Sequence, residues 1–316
     1  MGHKFGSCHA NGACYSHQGI TPGVFCMVWS AILKILDFRL RPPIKSFLKC
    51  GFFNEESNPF AWHSPWPKSA LKRSMPLLLK EVKSAGVGSA VVWGRTTLDP
   101  ERSTSNDDVA EIVREHGDLF LAGFGGICPV SGKIGESVRE VERCAKTLGL
   151  KGITLEPSFG MRPLAFADDP ILYPIYELMQ DLGLILALTI SRGSPPGQTL
   201  RHSNPEAIDR MAGEFPRMKI VISHACWPWV EQSCGLAFRR QNVYLQPDLY
   251  GMGMPGTTEW VEAANSHLQD RMIFGSAYPY QGVPEMVNAY LNLPYRPEVM
   301  EKVMYKNAAR LLEIED

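Results

Sequence analysis

The residues of this chain that could carry out chemistry stand just after short, apolar, β-branched runs. His224 follows the run Ile220–Ser223, Asp248 comes three residues after Val243–Leu245, and Glu156 ends a third such run. An imidazole oriented by a carboxylate activates water or moves a proton, and a further carboxylic acid supplies another acid or base. The pattern therefore predicts His224, Asp248 and Glu156 as catalytic residues. A histidine satisfied by a core hydrogen bond, and a glutamate paired with an arginine, stay open as alternatives.

Arginines lie at the ends of two further apolar runs. Arg39 and Arg41 belong to the stretch Asp37-Phe38-Arg39-Leu40-Arg41, and Arg95 follows the run that ends at Trp93. Alternation along an extended chain puts Arg39 and Arg41 on the same side, and guanidinium forks bind carboxylate or phosphate in bidentate fashion. We therefore predict an anionic ligand, with internal pairing to nearby carboxylates as the alternative. The predicted substrate-binding residues are Arg39, Arg41, Arg95, Trp93, Trp227, Tyr250 and Tyr278.

These residues meet only if the runs before them are parallel strands of one sheet. Apolar runs alternate with helical patterns eight times along the chain, and continuous apolar runs are typical of strands buried on both faces. The predicted fold class is therefore α/β, a (β/α)8 TIM barrel with its site at the carboxyl ends of the strands. The alternative, a doubly wound sheet, lacks support because no glycine-rich loop follows the first predicted strand. The predicted strands are Leu33–Leu40, Val87–Trp93, Leu119–Gly125, Gly152–Glu156, Leu184–Ile190, Lys219–Ser223, Val243–Leu245 and Met272–Phe274.

Composition argues against several classes of function. The chain has 316 residues, of which 45% are hydrophobic and 21% charged, and its formal net charge is −1. This balance gives no support for a nucleic acid or a membrane surface as partner, and the apolar run 24–36 is too short to cross a bilayer. The eight cysteines form no C-x-x-C pair, and we expect a reducing, cytoplasmic setting.

Some segments stand apart from the strand–helix pattern. Residues 1–31 hold histidines, cysteines and glycines in no spacing typical of zinc, so we predict an irregular N-terminal extension. Residues 32–316 form a single predicted barrel domain. Within it, the aromatic- and proline-rich segment 44–68 is a candidate lid or substrate loop, and a helix is expected over Ser69–Ala85. A homodimer is one arrangement compatible with the sequence.

Five motifs stand out in the second half of the chain. They are Asn204-Pro205-Glu206-Ala207-Ile208-Asp209-Arg210, then Phe215-Pro216, Ile220-Val221-Ile222-Ser223-His224, Phe274-Gly275-Ser276-Ala277-Tyr278-Pro279 and Asn307-Ala308-Ala309-Arg310-Leu311-Leu312. Together they resemble the amidohydrolase-2 branch of the amidohydrolase superfamily. The resemblance covers about residues 33–314. It implies a distorted TIM barrel with the site at its carboxyl mouth. That branch includes metal-dependent aromatic-acid decarboxylases and pyrone-dicarboxylate lactonases.

The chain departs from this family at the positions of the metal ligands. The family carries Asp-x-His-x-His on its first strand, whereas Arg39 and Arg41 stand at the two histidine positions here. The histidine of the fifth strand is missing, and Ala277 replaces the acid after the eighth strand. A guanidinium cannot serve as a ligand because it stays protonated, and zinc needs three or four ligands. We therefore expect no metal ion and no other cofactor.

Three functions are compatible with these residues. The leading expectation is a metal-independent hydrolase of a small carboxylated substrate such as a lactone, in which arginines bind the carboxylate and His224 with Asp248 activates water. The alternative is a carboxy-lyase acting on a hydroxylated aromatic acid, which in this family normally relies on the metal. The third is a non-catalytic barrel that binds a small acid. In each, the expected partner is a small anionic organic molecule.

Overall fold

The computed structural model describes residues 33–54, 64–130, 132–157, 166–190 and 200–314 of the chain. The predicted N-terminal extension 1–31 lies outside these residues. Of the candidate lid 44–68, residues 44–54 and 64–68 are described. The first of these parts contains a short 3-10 turn, Lys45–Leu48, and buries the aromatic rings of Phe47, Phe52 and Phe53.

The centre of the molecule is a sheet of seven parallel strands whose spatial order is their order along the chain. Apart from Leu121 and Thr189, their β-branched and apolar residues are buried on both faces, as the sequence predicts. Pairing is in register at the carboxyl end, where Thr189 lies opposite Ser223 and Ser223 lies opposite Gln246. The strands are β1 (Leu36–Leu40), β2 (Ser89–Trp93), β3 (Phe120–Gly126), β4 (Gly152–Leu155), β5 (Ile185–Thr189), β6 (Ile220–Ser223) and β7 (Val243–Gln246).

The predicted eighth strand, Met272–Phe274, is present as an extended segment rather than a regular strand. It contacts β7 through the parallel bridge between Leu245 and Met272, and the chain just beyond it contacts β1 through the bridge between Leu40 and Tyr278. The segment therefore lies between the last strand and the first. This arrangement confirms the predicted α/β barrel class, with seven regular strands in the described part of the chain instead of eight.

A buried carboxylate explains why the ladder is irregular at this seam. Asp37 Oδ1 accepts the backbone N–H groups of Arg39 at 3.1 Å and Ser276 at 2.9 Å. A regular ladder would give these donors to neighbouring strands. The pairing of β1 with β2 also shifts register between Asp37 and Leu40. The Asp37 side chain thus joins the first strand to the closing segment.

Two apolar clusters separate the inside of the barrel from the layer under the helices. Alternation along the strands assigns Phe38, Trp93 and Phe124 to the inner cluster, where their ring centroids lie 5.5–6.2 Å apart. The intervening residues join the outer cluster together with buried helix residues such as Val109 and Ile112. The inner aromatic rings fill the barrel below its carboxyl mouth, so polar side chains at the mouth rest on an apolar floor.

The helices follow the strands in the predicted alternation. The helix expected over Ser69–Ala85 is split because Arg73 has a positive φ of 47° and Pro76, in the first turn of the second part, has no N–H to continue the first part. Within the described residues, no helix is both long and apolar enough to cross a membrane. The α-helices are Lys68–Leu71, Met75–Ser84, Asn106–Glu115, Ile134–Lys146, Tyr173–Asp181, Glu206–Glu214, Val230–Arg239, Thr257–Asn265, Val283–Leu291, Pro297–Glu301 and Asn307–Leu312.

The Asp37 seam predicts how stability depends on pH. Burial raises the pKa of Asp37 from 3.8 to about 6 in the folded protein. Between these two values the folded state binds more protons than the unfolded state, so the contribution of Asp37 to stability falls as pH rises through this window. Asp37→Asn lacks this titration. Urea unfolding of both proteins across the window should show that the free energy of unfolding of the wild type falls relative to that of Asp37→Asn as pH rises. Above the window the difference should become constant. A difference that does not change with pH would contradict the raised pKa.

Candidate functional site

Three predicted site residues from different strands meet at the mouth of the barrel. Arg39 lies near the end of β1, His224 directly follows β6, and Asp248 lies two residues after β7. Arg39 Nη1 donates to Asp248 Oδ2 at 2.9 Å and lies 3.3 Å from His224 Nε2. His224 Nδ1 lies 2.7 Å from Asp248 Oδ1. The three side chains form a closed triangle in which every contact is a hydrogen bond.

The donors in this triangle fix the tautomer of the histidine. A guanidinium has only N–H donors, so the His224 Nε2 that contacts Arg39 must be the acceptor. The proton of the neutral ring is therefore on Nδ1 and is donated to Asp248. Burial lowers the pKa of His224, Asp248 opposes this effect, and the Arg39 charge adds to it. His224 is thus a neutral base held in one orientation by a carboxylate.

Four hydrogen bonds fix Asp248. Ser223 Oγ donates to its Oδ2 at 2.9 Å, alongside the bonds to Arg39 and His224. Its backbone carbonyl accepts a 2.9 Å bond from Tyr290 Oη. Gly251 is needed for this contact, because a Cβ there would lie 2.6 Å from the Tyr290 hydroxyl. Sequence reasoning did not find Tyr290, whose helix has no strand-end signal.

The backbone at this end of the barrel is unusual. His224, Ala225 and Cys226 have φ values of 66°, 45° and 60°, and Asp248 and Ala277 have φ values of 45° and 56°. L-residues other than glycine seldom adopt this left-handed region, and runs of them cluster at functional sites. The positive φ values stand at the ends of β6 and β7 and after the closing segment. The strain is therefore located where the polar side chains are presented.

Two further arginines form a second group with Glu156. Arg95 Nη2 lies 3.1 Å from one Glu156 oxygen, and Arg41 Nη2 lies 3.8 Å from the other. The Cζ atoms of Arg41 and Arg95 lie 4.3 and 5.4 Å from the ring centroid of Phe52. Burial and then the Arg39 charge lower the pKa of Arg41 to about 9. This geometry matches the alternative in which Glu156 is an arginine partner. Sequence reasoning missed Phe52, although it lies in the candidate lid.

The predicted aromatic residues have different positions. Trp93 is fully buried below Arg39, whose Cζ lies 5.4 Å from the ring centroid. Tyr250 contacts His224 edge to face at 5.2 Å, and Trp227 stacks on Tyr250 at 4.9 Å. The hydroxyl of Tyr278 lies 2.8 Å from Ser69 Oγ, which in turn donates to a glutamate of the helical layer. Tyr250 and Trp227 therefore belong to the mouth, Trp93 forms the floor below it, and the Tyr278 hydroxyl lies outside it.

Buried polar atoms around the mouth lack protein partners among the described residues. They are Asp37 Oδ2, the Nε atoms of Arg39 and Arg41, Thr189 Oγ1 and Gln246 Oε1. A buried polar atom without a partner costs free energy comparable to a lost hydrogen bond. Both arginines are almost fully buried, at 2% and 1% exposure. The mouth therefore holds both donors and acceptors that no described residue satisfies.

The side chains do not fit a divalent metal ion. In the described part of the chain, no group of three or more His, Cys, Asp or Glu side chains is arranged to hold one. His224 and Asp248 are close enough to share an ion, but the third member of their triangle is a guanidinium. A permanently charged cation already lies where a metal would have to approach them.

A cleft of about 740 Å³ opens on a different part of the molecule, around the start of the helix Tyr173–Asp181. Its charged lining residues include Asp168, Arg210 and Arg240. Arg210 pairs with Asp168 at 2.5 Å and Arg240 pairs with Asp209 at 2.7 Å. Both arginines of the cleft are thus paired with aspartates, and the strand ends remain the better candidate for chemistry.

Comparison with known proteins adds family and fold. The family model described as Amidohydrolase matches residues 46–314. An uncharacterised TIM-barrel protein from Bordetella bronchiseptica is 36% identical with a TM-score of 0.82, over 89% of this chain and 99% of that chain. The 5-carboxyvanillate decarboxylase of Sphingomonas paucimobilis is 21% identical with a TM-score of 0.61, over 90% and 99%. Dihydroxybenzoate decarboxylases match with TM-scores of 0.62–0.64.

One curated relative matches over a shorter stretch. The 2-keto-4-carboxy-3-hexenedioate hydratase of a Sphingobium species is 27% identical over 152 residues, which are 42% of this chain and 42% of that protein. The match thus spans less than half of the relative. The decarboxylase structures are less than 25% identical and show the fold alone.

The triangle predicts strong energetic coupling between Arg39 and Asp248. Asp248→Asn leaves a buried guanidinium without its carboxylate, and Arg39→Met leaves the carboxylate without its cation. Each change should destabilise the protein by about 3–5 kcal/mol. The double variant should cost less than the sum by about 1–3 kcal/mol, as measured by urea unfolding. The control cycle uses the exposed pair Lys146 and Glu142, 2.7 Å apart, with an expected coupling below about 1 kcal/mol. Equal coupling in both cycles would contradict the assigned geometry.

Proposed function

This chain belongs to the amidohydrolase family, and we propose that it is a carboxy-lyase that releases carbon dioxide from a small hydroxylated aromatic acid. The observation that carries the proposal is the triangle of Arg39, His224 and Asp248, which places a cation beside a neutral, oriented base. A base and a cation side by side suit an oxygen that loses a proton and becomes negative. A ring hydroxyl of a phenolic acid is such an oxygen.

The outer arginine group, together with the Arg39 Nε that has no partner among the described residues, supplies the proposed carboxylate site. Among the described residues, Arg41 forms one ion pair, the 3.8 Å contact with Glu156, and its Nε has no partner there. Arg95 holds the same glutamate more closely, at 3.1 Å. Burying the weakly paired Arg41 charge is costly unless an anion completes its contacts. Phe52 stacks against both guanidinium groups and keeps water from their faces.

The proposed reaction replaces the carboxylate of the ring by a proton and breaks one carbon–carbon bond. His224 Nε2 takes the proton of the ring hydroxyl, Arg39 stabilises the phenolate oxygen, and Asp248 stabilises the imidazolium through Nδ1. The imidazolium then gives its proton to the ring carbon that carries the carboxylate. That carbon–carboxylate bond breaks, its electron pair restores the aromatic ring, and carbon dioxide leaves. A proton from solvent finally neutralises the phenolate.

The comparisons favour this reaction over the hydrolase that the sequence alone put first. Solved structures that share the fold include decarboxylases of hydroxylated aromatic acids, and no lactonase is among the matches described above. The hydrolase stays the second candidate, because His224 held 2.7 Å from Asp248 could equally activate water. The non-catalytic acid-binding barrel is the third. Neither hydrolysis nor binding alone would release carbon dioxide.

The proposed reaction uses no metal ion. Arg39 supplies one positive charge beside the His224 base, at the place where a divalent ion would otherwise stabilise the developing oxyanion. A guanidinium is less strongly charged than a divalent ion, but in a buried site its hydrogen bonds are directed and strong. The guanidinium of Arg39 thus takes the place of a bound metal cation.

Activity measurements test the proposed roles. Purified protein should release labelled carbon dioxide from one or more carboxyl-labelled hydroxybenzoates, and the aromatic product should contain no ¹⁸O from water. His224→Asn should lower kcat by about 10²–10⁴-fold. Arg41→Met should raise KM by roughly tenfold or more, and Arg210→Met, in the other cleft, should change neither. Incorporation of ¹⁸O into a product acid would instead support the hydrolase. Full activity of His224→Asn would reject the assigned base.

Metal removal tests the second part of the proposal. Because Arg39 rather than an ion provides the positive charge, dialysis against a strong chelator should leave kcat unchanged. Metal analysis of the purified protein should find less than one ion per chain. Loss of activity on chelation, restored by adding manganese or zinc, would contradict the role given to Arg39. Lys146→Met, which changes an exposed surface residue, is purified and measured in the same way as the control.

A further inference from the structure

The proposed base is blocked in this structure by the residue that should help it. His224 Nε2 would have to accept the proton of a substrate or of water, and its lone pair already accepts a hydrogen bond from Arg39 Nη1 at 3.3 Å. The other ring nitrogen faces Asp248 and is protonated. In this arrangement, His224 cannot act as a base until the guanidinium moves.

The two hydrogen bonds of Arg39 Nη1 differ in strength. The bond to Asp248 Oδ2 is short, at 2.9 Å, and joins two charged groups, whereas the bond to His224 Nε2 is 3.3 Å long and joins a cation to a neutral nitrogen. Charge-assisted bonds between ions are the stronger kind, and bonds lengthen as they weaken. A small rotation of the guanidinium about Asp248 would therefore break the weaker contact and keep the stronger one.

Other features of Arg39 allow such a movement. Its Nε is buried without a partner in the described residues, so it has an unused donor for an anion. Its Cζ lies 5.4 Å from the centroid of the Trp93 ring, against which a flat guanidinium can slide while keeping its cation–π contact. His224 is the triangle's least buried member, with 11% of its side chain exposed against 2% for Arg39 and none for Asp248. An incoming ligand thus reaches the triangle on its histidine side.

We propose that Arg39 is a displaceable plug on the His224 base, and that the anionic group of a bound substrate draws the guanidinium off Nε2 and so exposes the lone pair. The proposal rests on the proposed function for the identity of the base. It makes Arg39 a positioning residue in the free protein and a substrate-contacting residue in the complex. Neutral molecules that enter the mouth leave the plug in place, so His224 becomes available as a base only when a ligand with a carboxylate binds.

Structures of the full chain with matched ligands test the plug directly. The protein is crystallised free, with 2-hydroxybenzoate, and with phenol, which has the same ring and hydroxyl but no carboxylate. The contact between Arg39 Nη1 and His224 Nε2 should be present in the free protein and with phenol, and broken with 2-hydroxybenzoate. A contact that persists beside bound 2-hydroxybenzoate overturns the proposal. So does failure of 2-hydroxybenzoate to bind at the mouth.

Chemical modification provides a solution test that does not need crystals. Diethyl pyrocarbonate reacts with the free lone pair of a neutral imidazole, and mass spectrometry locates the modified histidine. Modification of His224 in the ligand-free protein should be about tenfold or more faster in Arg39→Gln than in the wild type, because the plug is removed. Arg41→Gln is the matched control: it loses the same charge and similar volume but no contact with Nε2, and should react like the wild type. Equal acceleration in both variants overturns the proposal.

The outcomes separate this inference from the proposed function. If 2-hydroxybenzoate displaces Arg39 and no hydroxybenzoate yields carbon dioxide, the plug is supported and the carboxy-lyase is rejected. If carbon dioxide is released while the Arg39–His224 contact persists in the complex, the carboxy-lyase is supported and the plug is rejected.

Discussion

A permanent positive charge is buried at the mouth of an apolar barrel, and the arrangement of the site follows from the need to satisfy it. The Arg39 side chain is 2% exposed above the ring of Trp93. Removing a guanidinium from water is affordable only if a carboxylate and well-placed acceptors replace the lost hydration. Asp248 supplies the carboxylate and His224 supplies the second acceptor. Ser223 and Tyr290 hold Asp248 in place for both partners.

The same requirement links the site to the fold. β1, β6 and β7 present the three side chains of the triangle, and the closing segment is tied to β1 through Asp37. The positive φ values of His224 and Asp248 store conformational strain where the triangle is assembled. Such strain persists only when the surrounding structure holds it, and the regular pairing of β5, β6 and β7 provides that support. A rigid set of strands thus carries a strained and highly polar edge.

Apolar runs predicted much of this from the sequence. Because the carboxyl ends of parallel strands lie together, the runs before His224, Asp248 and Arg39 were sufficient to expect that these side chains meet. The pairing of Glu156 with Arg95 was one of two open alternatives, since a carboxylate at a strand end fits both roles.

Other features depend on contacts between distant parts of the chain. The sequence predicts Tyr278 at the mouth, but its hydroxyl contacts Ser69 on the helical side, and no local sequence pattern indicates this contact. The eighth strand is irregular because Asp37 captures the N–H of Ser276, a side-chain effect that hydrophobic patterns do not contain. Nor could the sequence reveal that Arg39 blocks His224 Nε2, because that contact depends on a distance of a few ångströms across the barrel.

The claim at the centre of this account is that a neutral His224 carries its proton on Nδ1 and accepts a hydrogen bond from Arg39 on Nε2. Nitrogen-15 NMR of the ligand-free protein, labelled at histidine and assigned with His224→Asn, measures this state directly at neutral pH. We expect one protonated resonance from Nδ1 and one unprotonated, hydrogen-bonded resonance from Nε2. A proton on Nε2, whether in the other neutral tautomer or in the doubly protonated ring, would contradict the account.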